Sequence, residues 1–207
     1  DWAAEVLFHE LKQLGVDENT LVIFTSDNGS RANGEGGSNA PLRGTKAETW
    51  EGGQRVPFIV RWPGKVPAGK VCHELVTAMD LLPTLARLAG TTEPQDRVID
   101  GKDIAPLLFD KPGARSPHAS FFYYRHESLH AVRKGKWKLH FLQAVGFAKP
   151  QAVAPELYDL DRDVGEQHNV AAAHPEVVAE LTALAEQARQ DLGDAFTGVV
   201  GRGRREP

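Results

Sequence analysis

The 207-residue chain is 41% hydrophobic and 25% charged, with a formal net charge of −4. That balance describes a folded globular protein with enough chain for a sizeable core in one or two domains, and it excludes a disordered or fibrous one. No basic stripe interleaved with aromatic residues is present, so nucleic acid is not an expected partner. No apolar run reaches the length of a bilayer-spanning helix, and none of these features assigns a compartment.

In chain order, the first residues, "DWAAEVLFHELKQLG", show neither a charged leader nor a small-residue cleavage site, and resemble the middle of a folded domain. Trp2, Val6, Leu7, Leu11 and Leu14 recur at helical spacing and Gly15 offers a stop, which predicts a helix over about 1–14. "TLVIFTS" has little polar alternation, as expected of a strand covered on both faces in a parallel sheet. Ligands of such sheets collect beyond the carboxyl ends of strands, where Asp27 and Asn28 stand. From Ser30 to Thr49 the chain is glycine-rich and aperiodic, a long loop whose length suggests function. "RVPFIVRWPG" resumes strand character, and "MDLLPTLARLAG" predicts a helix capped by Asp80, with Leu81, Leu82, Leu85 and Leu88 as its apolar side.

Proline and glycine near Gly113 mark a boundary between residues 1–113 and 114–197. Beyond it "HASFFYY", "LHAVRKG", "KWKLHFL" and "PELYDLDRDVGE" are short strands that pair as an antiparallel sheet with one face to be covered. The helix "HPEVVAELTALAEQARQDLGD" supplies the cover, with Val177, Val178, Leu181, Leu184, Ala188 and Leu192 as an apolar stripe and Glu180, Glu186 and Arg189 outward. Residues 198–207 read as a flexible, solvated tail.

The residues alone leave several chemistries open. The acid and amide of "SDNG" are hard oxygen donors suited to a divalent cation, but two groups fall short of the six or more that calcium takes. Local pattern therefore favours an Asx-Gly turn over a ligand pair. The helix-loop calcium pattern fails at Gly29 and Arg31, and the phosphate-loop pattern fails at Lys46, which follows "LRGT". Lys46 can act as a point charge on a phosphate or sulfate, or stand as a solvated lysine. Glu51, in "EGG", reads as a buried partner rather than a catalyst. His130 and His140 fall in strands as structural residues, while His126, in a turn after an aromatic strand, is the better substrate neighbour. Cys72, the single cysteine, has no positional support as a nucleophile and is expected to be partly buried.

Taken together, "TLVIFTSDNG", "LRGTKAETWEGGQRVPFIVRWPG", "VTAMDLLPTLARLAG", "DGKDIAPLLF", "AVRKGKWKLHF" and "ELYDLDRDVGEQHN" resemble, in this order, the C-terminal half of a type I, formylglycine-dependent sulfatase of the arylsulfatase family. The resemblance implies an α/β fold: part of an alkaline-phosphatase-like core followed by a small antiparallel sheet with a packed helix. It implies hydrolysis of a sulfate monoester, borne by a small molecule or a sugar. Asp27 and Asn28 would then be ligands of Ca2+, ahead of Mg2+, and Lys46 would contact the sulfate.

The family's nucleophile, a cysteine or serine in C/S-x-P-x-R that becomes formylglycine, has no counterpart in the sequence. "NAPLR" places Asn39 where the nucleophile would be, and on the wrong side of "SDNG". The resemblance thus implies a partial site, completed by a missing N-terminal half, and an apolar surface open to that half or to a second copy. A related phosphate or phosphonate ester hydrolase, and a non-catalytic structural fragment, are the competing expectations.

Overall fold

The computed structural model describes residues 1–32, 36–145 and 148–205. Residues 33–35 of the expected glycine-rich loop, and 206–207 of the expected tail, lie outside the described residues. The chain forms two compact units, one of residues 1–25 and 57–118, the other of residues 26–56 and 119–207. Neither unit is continuous in sequence, so the segment from Ser26 to Val56 belongs with the later part of the chain.

In the first unit, helix α1 (Trp2–Gln13) ends where its periodicity lapses, and the Gly15 N–H donates to the Lys12 carbonyl at 3.0 Å. Strand β1 (Val22–Thr25) pairs antiparallel with β2 (Phe58–Arg61) in a two-stranded sheet, from Val22 opposite Arg61 to Thr25 opposite Phe58. This corrects the expected parallel pairing. An apolar run without alternation reports burial, not strand direction, and the partner within this unit returns from the opposite end. The expected cover on both faces is also absent among the described residues of this unit, where Phe24 is 64% and Ile59 60% exposed. Asp17 and Arg61 fasten the sheet to the preceding turn through a bidentate pair at 2.6 and 2.8 Å.

Helix α2 (Leu81–Leu88) is entered through a single 3-10 turn over Ala78–Asp80. Thr77 is the capping residue of that turn, and Asp80 reaches back to it, its carboxylate accepting from the Thr77 N–H at 2.7 Å. Asp80 stands at the N-cap position of α2, as expected, but its carboxylate serves the preceding turn instead of a helix N–H. Its other oxygen accepts from the Lys102 N–H and meets His118 Nε2, each at 2.8 Å. The expected apolar side is also displaced: Pro83 and Thr84 are buried, while Leu82 and Leu85 are exposed. Cys72 is exposed, contrary to the expectation of partial burial, because it lies in a segment outside any helix or strand.

The second unit holds the larger core. Strands β3 (Phe121–Arg125), β4 (Ser128–Lys134), β5 (Trp137–Gln143) and β6 (Gln151–Asp159) form an antiparallel meander in that order. One face presents Val132, Leu139 and Leu157 to helix α3 (Pro175–Leu192), whose Leu181, Ala185 and Ala188 close the cluster. Arg189, expected to face outward, is buried instead. The chain beyond the helix turns back at Gly193 and brings the Asp194 carboxylate to Arg189 Nε at 2.8 Å, so a charge on the inner face is paired. Residues after the turn are held by an Asp194–Val199 bridge and by Arg202 and Gly203 N–H groups donating to Gln190 and Asp191 carbonyls.

Candidate active site

β5 is a central strand, and its alternation places Lys138 and His140 on the face opposite Leu139. That polar face is not left to solvent. The segment Arg43–Gln54 lies over it and makes Lys138, His140, Glu51 and Trp50 buried residues. The sheet is thus covered on both faces, where the sequence predicts cover on one. A strand alternating charged and apolar residues looks half-solvated until a second charged segment is brought onto it.

The chain runs toward that covering segment from the end of β1. Thr25 closes the strand, and Asp27 and Asn28 follow at once, with Asp27 exposed and Asn28 half-buried. Ser26 Oγ donates to the Asn28 carbonyl at 3.0 Å, and Asn28 Nδ2 donates to the Asp27 carboxylate. The turn reading holds, with the Asn28 amide nitrogen, rather than its oxygen, turned to the Asp27 carboxylate. Gly29 then passes through a gap that no other residue fits: a Cβ there would stand 1.7 Å from the Gly52 carbonyl oxygen. Its N–H donates to the Gly53 carbonyl at 3.1 Å. A Cβ at Gly52 or Gly53 would in turn meet backbone oxygens at 2.5 and 2.3 Å, so the "EGG" of the sequence is a close backbone crossing.

Lys46 joins this crossing. Its N–H donates to the Ser30 carbonyl at 3.1 Å, and Ala47 beside it takes φ +71°. Asn39, the residue at the false nucleophile position of "NAPLR", is a staple. Its Oδ1 accepts from Ser30 N–H at 2.8 Å and its Nδ2 donates to the Ser30 and Gly44 carbonyls at 2.8 and 3.0 Å. The structure thus brings the backbone of Lys46 to within two residues of Asn28. His126 lies in a separate place, exposed in the two-residue turn between β3 and β4, where His126 and Glu127 both have positive φ, 46° and 61°. In that hairpin His130 Nδ1 stands 3.5 Å from Thr49 Oγ1.

Beneath the Lys46 loop lies a group of charges that sequence reasoning passed over. Lys138 Nζ donates to the Thr49 carbonyl at 2.8 Å and to Glu51 Oε1 at 2.9 Å, and stands 3.0 Å from Glu166 Oε1. Tyr123 OH donates to Glu51 Oε1 at 3.0 Å, and Arg133 lies 3.6 Å from the other Glu51 oxygen. Burial works against the Glu51 carboxylate, but the adjoining Lys138 ammonium and Arg133 guanidinium outweigh it and hold its carboxyl below the usual range. His140 Nε2 lies 3.0 Å from Glu166 Oε1, and burial brings its pKa down to about 4 despite that carboxylate. Two carboxylates and two cations so balance, with the imidazole neutral at pH 7. Trp50 is sandwiched between His140, ring centroids 4.0 Å apart, and the Arg43 guanidinium, 3.7 Å from its centroid. Glu51 as a buried partner was legible; Lys138 and Glu166 were not. The available signal was the strict alternation of "KWKLHFL", which sets two polar residues on one face of a central strand.

Two family models match the chain: "Sulfatase" over residues 1–91 and "C-terminal region of aryl-sulfatase" over residues 116–198. The chain belongs to the sulfatase family. It is similar to an arylsulfatase of Hemicentrotus pulcherrimus, at 36% identity over 92% of this chain and 39% of that protein. Among solved structures it resembles the PsFucS1 sulfatase from Pseudoalteromonas sp., with TM-score 0.78 and 31% identity over 88% of this chain and 39% of that one. Ps i-CgsB, crystallised in complex with k-i-k-neocarrahexaose, gives TM-score 0.74 and 30% identity over 87% and 39%. This sulfatase chain spans about two fifths of the length of these relatives. The similarity supports the α/β sulfatase core with its C-terminal antiparallel sheet and packed helix. No helix among the described residues is long and apolar enough to cross a membrane.

The donor chemistry at Asp27 and Asn28 suits a hard cation, and the set is small. Among the described residues no group of three or more histidine, cysteine or acidic side chains could hold a metal. A cation at this point would need further oxygens from beyond this pair.

Proposed function

We propose that this chain forms one wall of a site that hydrolyses sulfate monoesters to an alcohol and sulfate, the sulfate borne by a sugar or a small molecule. The observation that carries the reading is the hydrogen bond of Lys46 N–H to Ser30 O, which joins the segment bearing the ammonium to the segment bearing Asp27 and Asn28. In this reading Asp27 and Asn28 hold Ca2+ through carboxylate and amide oxygens, and Lys46 contacts a sulfate oxygen. The ion would supply positive charge beside the sulfate. Lys46 adds an ammonium, which would offset negative charge on the sulfate oxygens in the transition state. The attacking formylglycine hydrate belongs to sequence that this chain does not contain, as do the remaining metal ligands. A saccharide in one solved neighbour supports a sulfated sugar as substrate.

Calcium titration followed by calorimetry, together with acetylation of Lys46 followed by mass spectrometry, tests the assignment. Calcium should bind, Asp27→Ala should abolish that binding, and inorganic sulfate should slow Lys46 acetylation more than inorganic phosphate does. Binding that survives Asp27→Ala removes the metal role. Protection by phosphate but not sulfate favours the phosphate-ester alternative.

A further inference from the structure

Glu166 is a fully buried acidic residue, held with φ +52° in the loop that follows β6. A non-glycine residue in the left-handed region costs on the order of 1 kcal/mol or more and persists where its surroundings over-determine it. Here the surroundings are specific. The Glu166 carbonyl accepts from Arg43 Nη1 at 2.9 Å, and its Oε2 accepts from the Glu51 N–H at 2.7 Å. Arg43 and Glu51 are the two stems of the loop that carries Lys46. Its remaining oxygen, Oε1, meets Lys138 Nζ and His140 Nε2, both at 3.0 Å, from the sheet. A single residue therefore touches both ends of one loop and the sheet beneath it.

The platform is itself fixed. Glu166 N–H donates to the Asp163 carbonyl at 3.1 Å, while the Asp163 carboxylate accepts from the N–H groups of Gln167 and His168 at 2.8 and 2.7 Å. Lys138, fixed on β5, answers the same loop at the Thr49 carbonyl. Between these anchors lies Lys46, whose half-exposed side chain has four flexible carbons and would lose much rotamer freedom on meeting an anion. The backbone that launches it must then be rigid if the ammonium is to act at one place.

We infer that Glu166 is a positioning residue for Lys46, fastening both stems of its loop to the C-terminal sheet. This deepens the reading of Lys46 as the sulfate contact and rests on it for its relevance to the reaction. The residue touches no substrate. Its positive φ is explained as the bend that turns carbonyl and carboxylate toward opposite stems at once.

Glu166→Ala and Glu166→Gln in the 207-residue chain decide it by hydrogen exchange read peptide by peptide. Glu166→Ala should speed exchange across residues 43–54 by about tenfold or more while protection of β4, β5 and α3 stays within about twofold of the parent. Glu166→Gln, which keeps an acceptor for the Glu51 N–H, should recover part of the loss. Acetylation of Lys46 should lose its protection by sulfate in Glu166→Ala. Unchanged exchange at 43–54, or a rise shared equally by the sheet, overturns the inference. Should Glu166→Ala not fold, Arg43→Met, which frees one stem, is measured in the same way: faster exchange confined to 43–54 supports the anchoring, and unchanged or evenly shared exchange overturns it. If sulfate fails to protect Lys46 in the parent chain, the sulfate reading falls, while the exchange data still decide the anchoring.

Discussion

His140 is neutral at pH 7 because its burial under Trp50 favours the uncharged ring against the opposing pull of the Glu166 carboxylate, with a pKa brought down to about 4. The unfolded imidazole titrates near 6.5, so between those values the unfolded chain binds a proton that the folded one refuses. Stability then falls as pH drops from about 6.5 toward 4, by on the order of 1 kcal/mol or more from this residue. Urea unfolding of His140→Gln across that interval should show a shallower pH dependence than the parent; an equal slope would remove His140 as its source. Glu51 responds in a lower window. Its depressed carboxyl contributes stability above about pH 4.5, lost as pH falls through the folded value. Gly29 is a second residue with a sharp expectation. A methyl 1.7 Å from the Gly52 oxygen cannot be absorbed by a side-chain shift, so Gly29→Ala should cost about 3 kcal/mol or more in a chemical denaturation.

At the scale of elements, the two helices with apolar stripes behave differently. α3 seats Leu181 at 0% exposure against Leu129, Val132, Leu139 and Leu157, whereas α1 buries no residue within its unit and leaves Leu7 48% exposed. Leu181→Ala should lower stability by about 3 kcal/mol, and Leu7→Ala by less than about 1 kcal/mol, in equilibrium unfolding of the same chain. Similar losses at both would mean that α1 is packed in solution. Both helices were legible in sequence, because a 3.6-residue period of apolar residues specifies a helix whether or not anything covers it. The meander was legible too, from alternation and short turns. What periodicity did not carry was the occupant of each face, and hence Arg189 turning inward beneath a returning Asp194.

At the scale of the whole molecule, the first unit carries Trp2, Leu14, Phe24, Ile59, Leu82 and Leu85 as exposed side chains on α1, β1, β2 and α2 or beside them. Large apolar groups left in water favour association, since each buried square ångström contributes about 25 cal/mol. Sedimentation velocity of the chain should show concentration-dependent self-association, reduced by the pair Phe24→Lys and Ile59→Lys; a monomer at every concentration would refute this.

By itself the sequence determined the sulfatase family, the helical and strand character of most segments, and the candidate set of Asp27, Asn28 and Lys46. Those are local matters, since order of motifs, spacing of apolar residues and hard oxygen donors are all written along the chain. Tertiary structure decided the rest. It set the antiparallel pairing of β1 with β2, the covering of the sheet's polar face by residues 43–54, and the buried cluster of Glu51, Lys138, His140 and Glu166. Lys138 and Glu51 stand 87 positions apart, and Glu166 lies 115 beyond Glu51. Charges so far separated along the chain look like ordinary solvated residues until folding withdraws water from all of them together, and then their mutual pairing is what allows them to be buried at all.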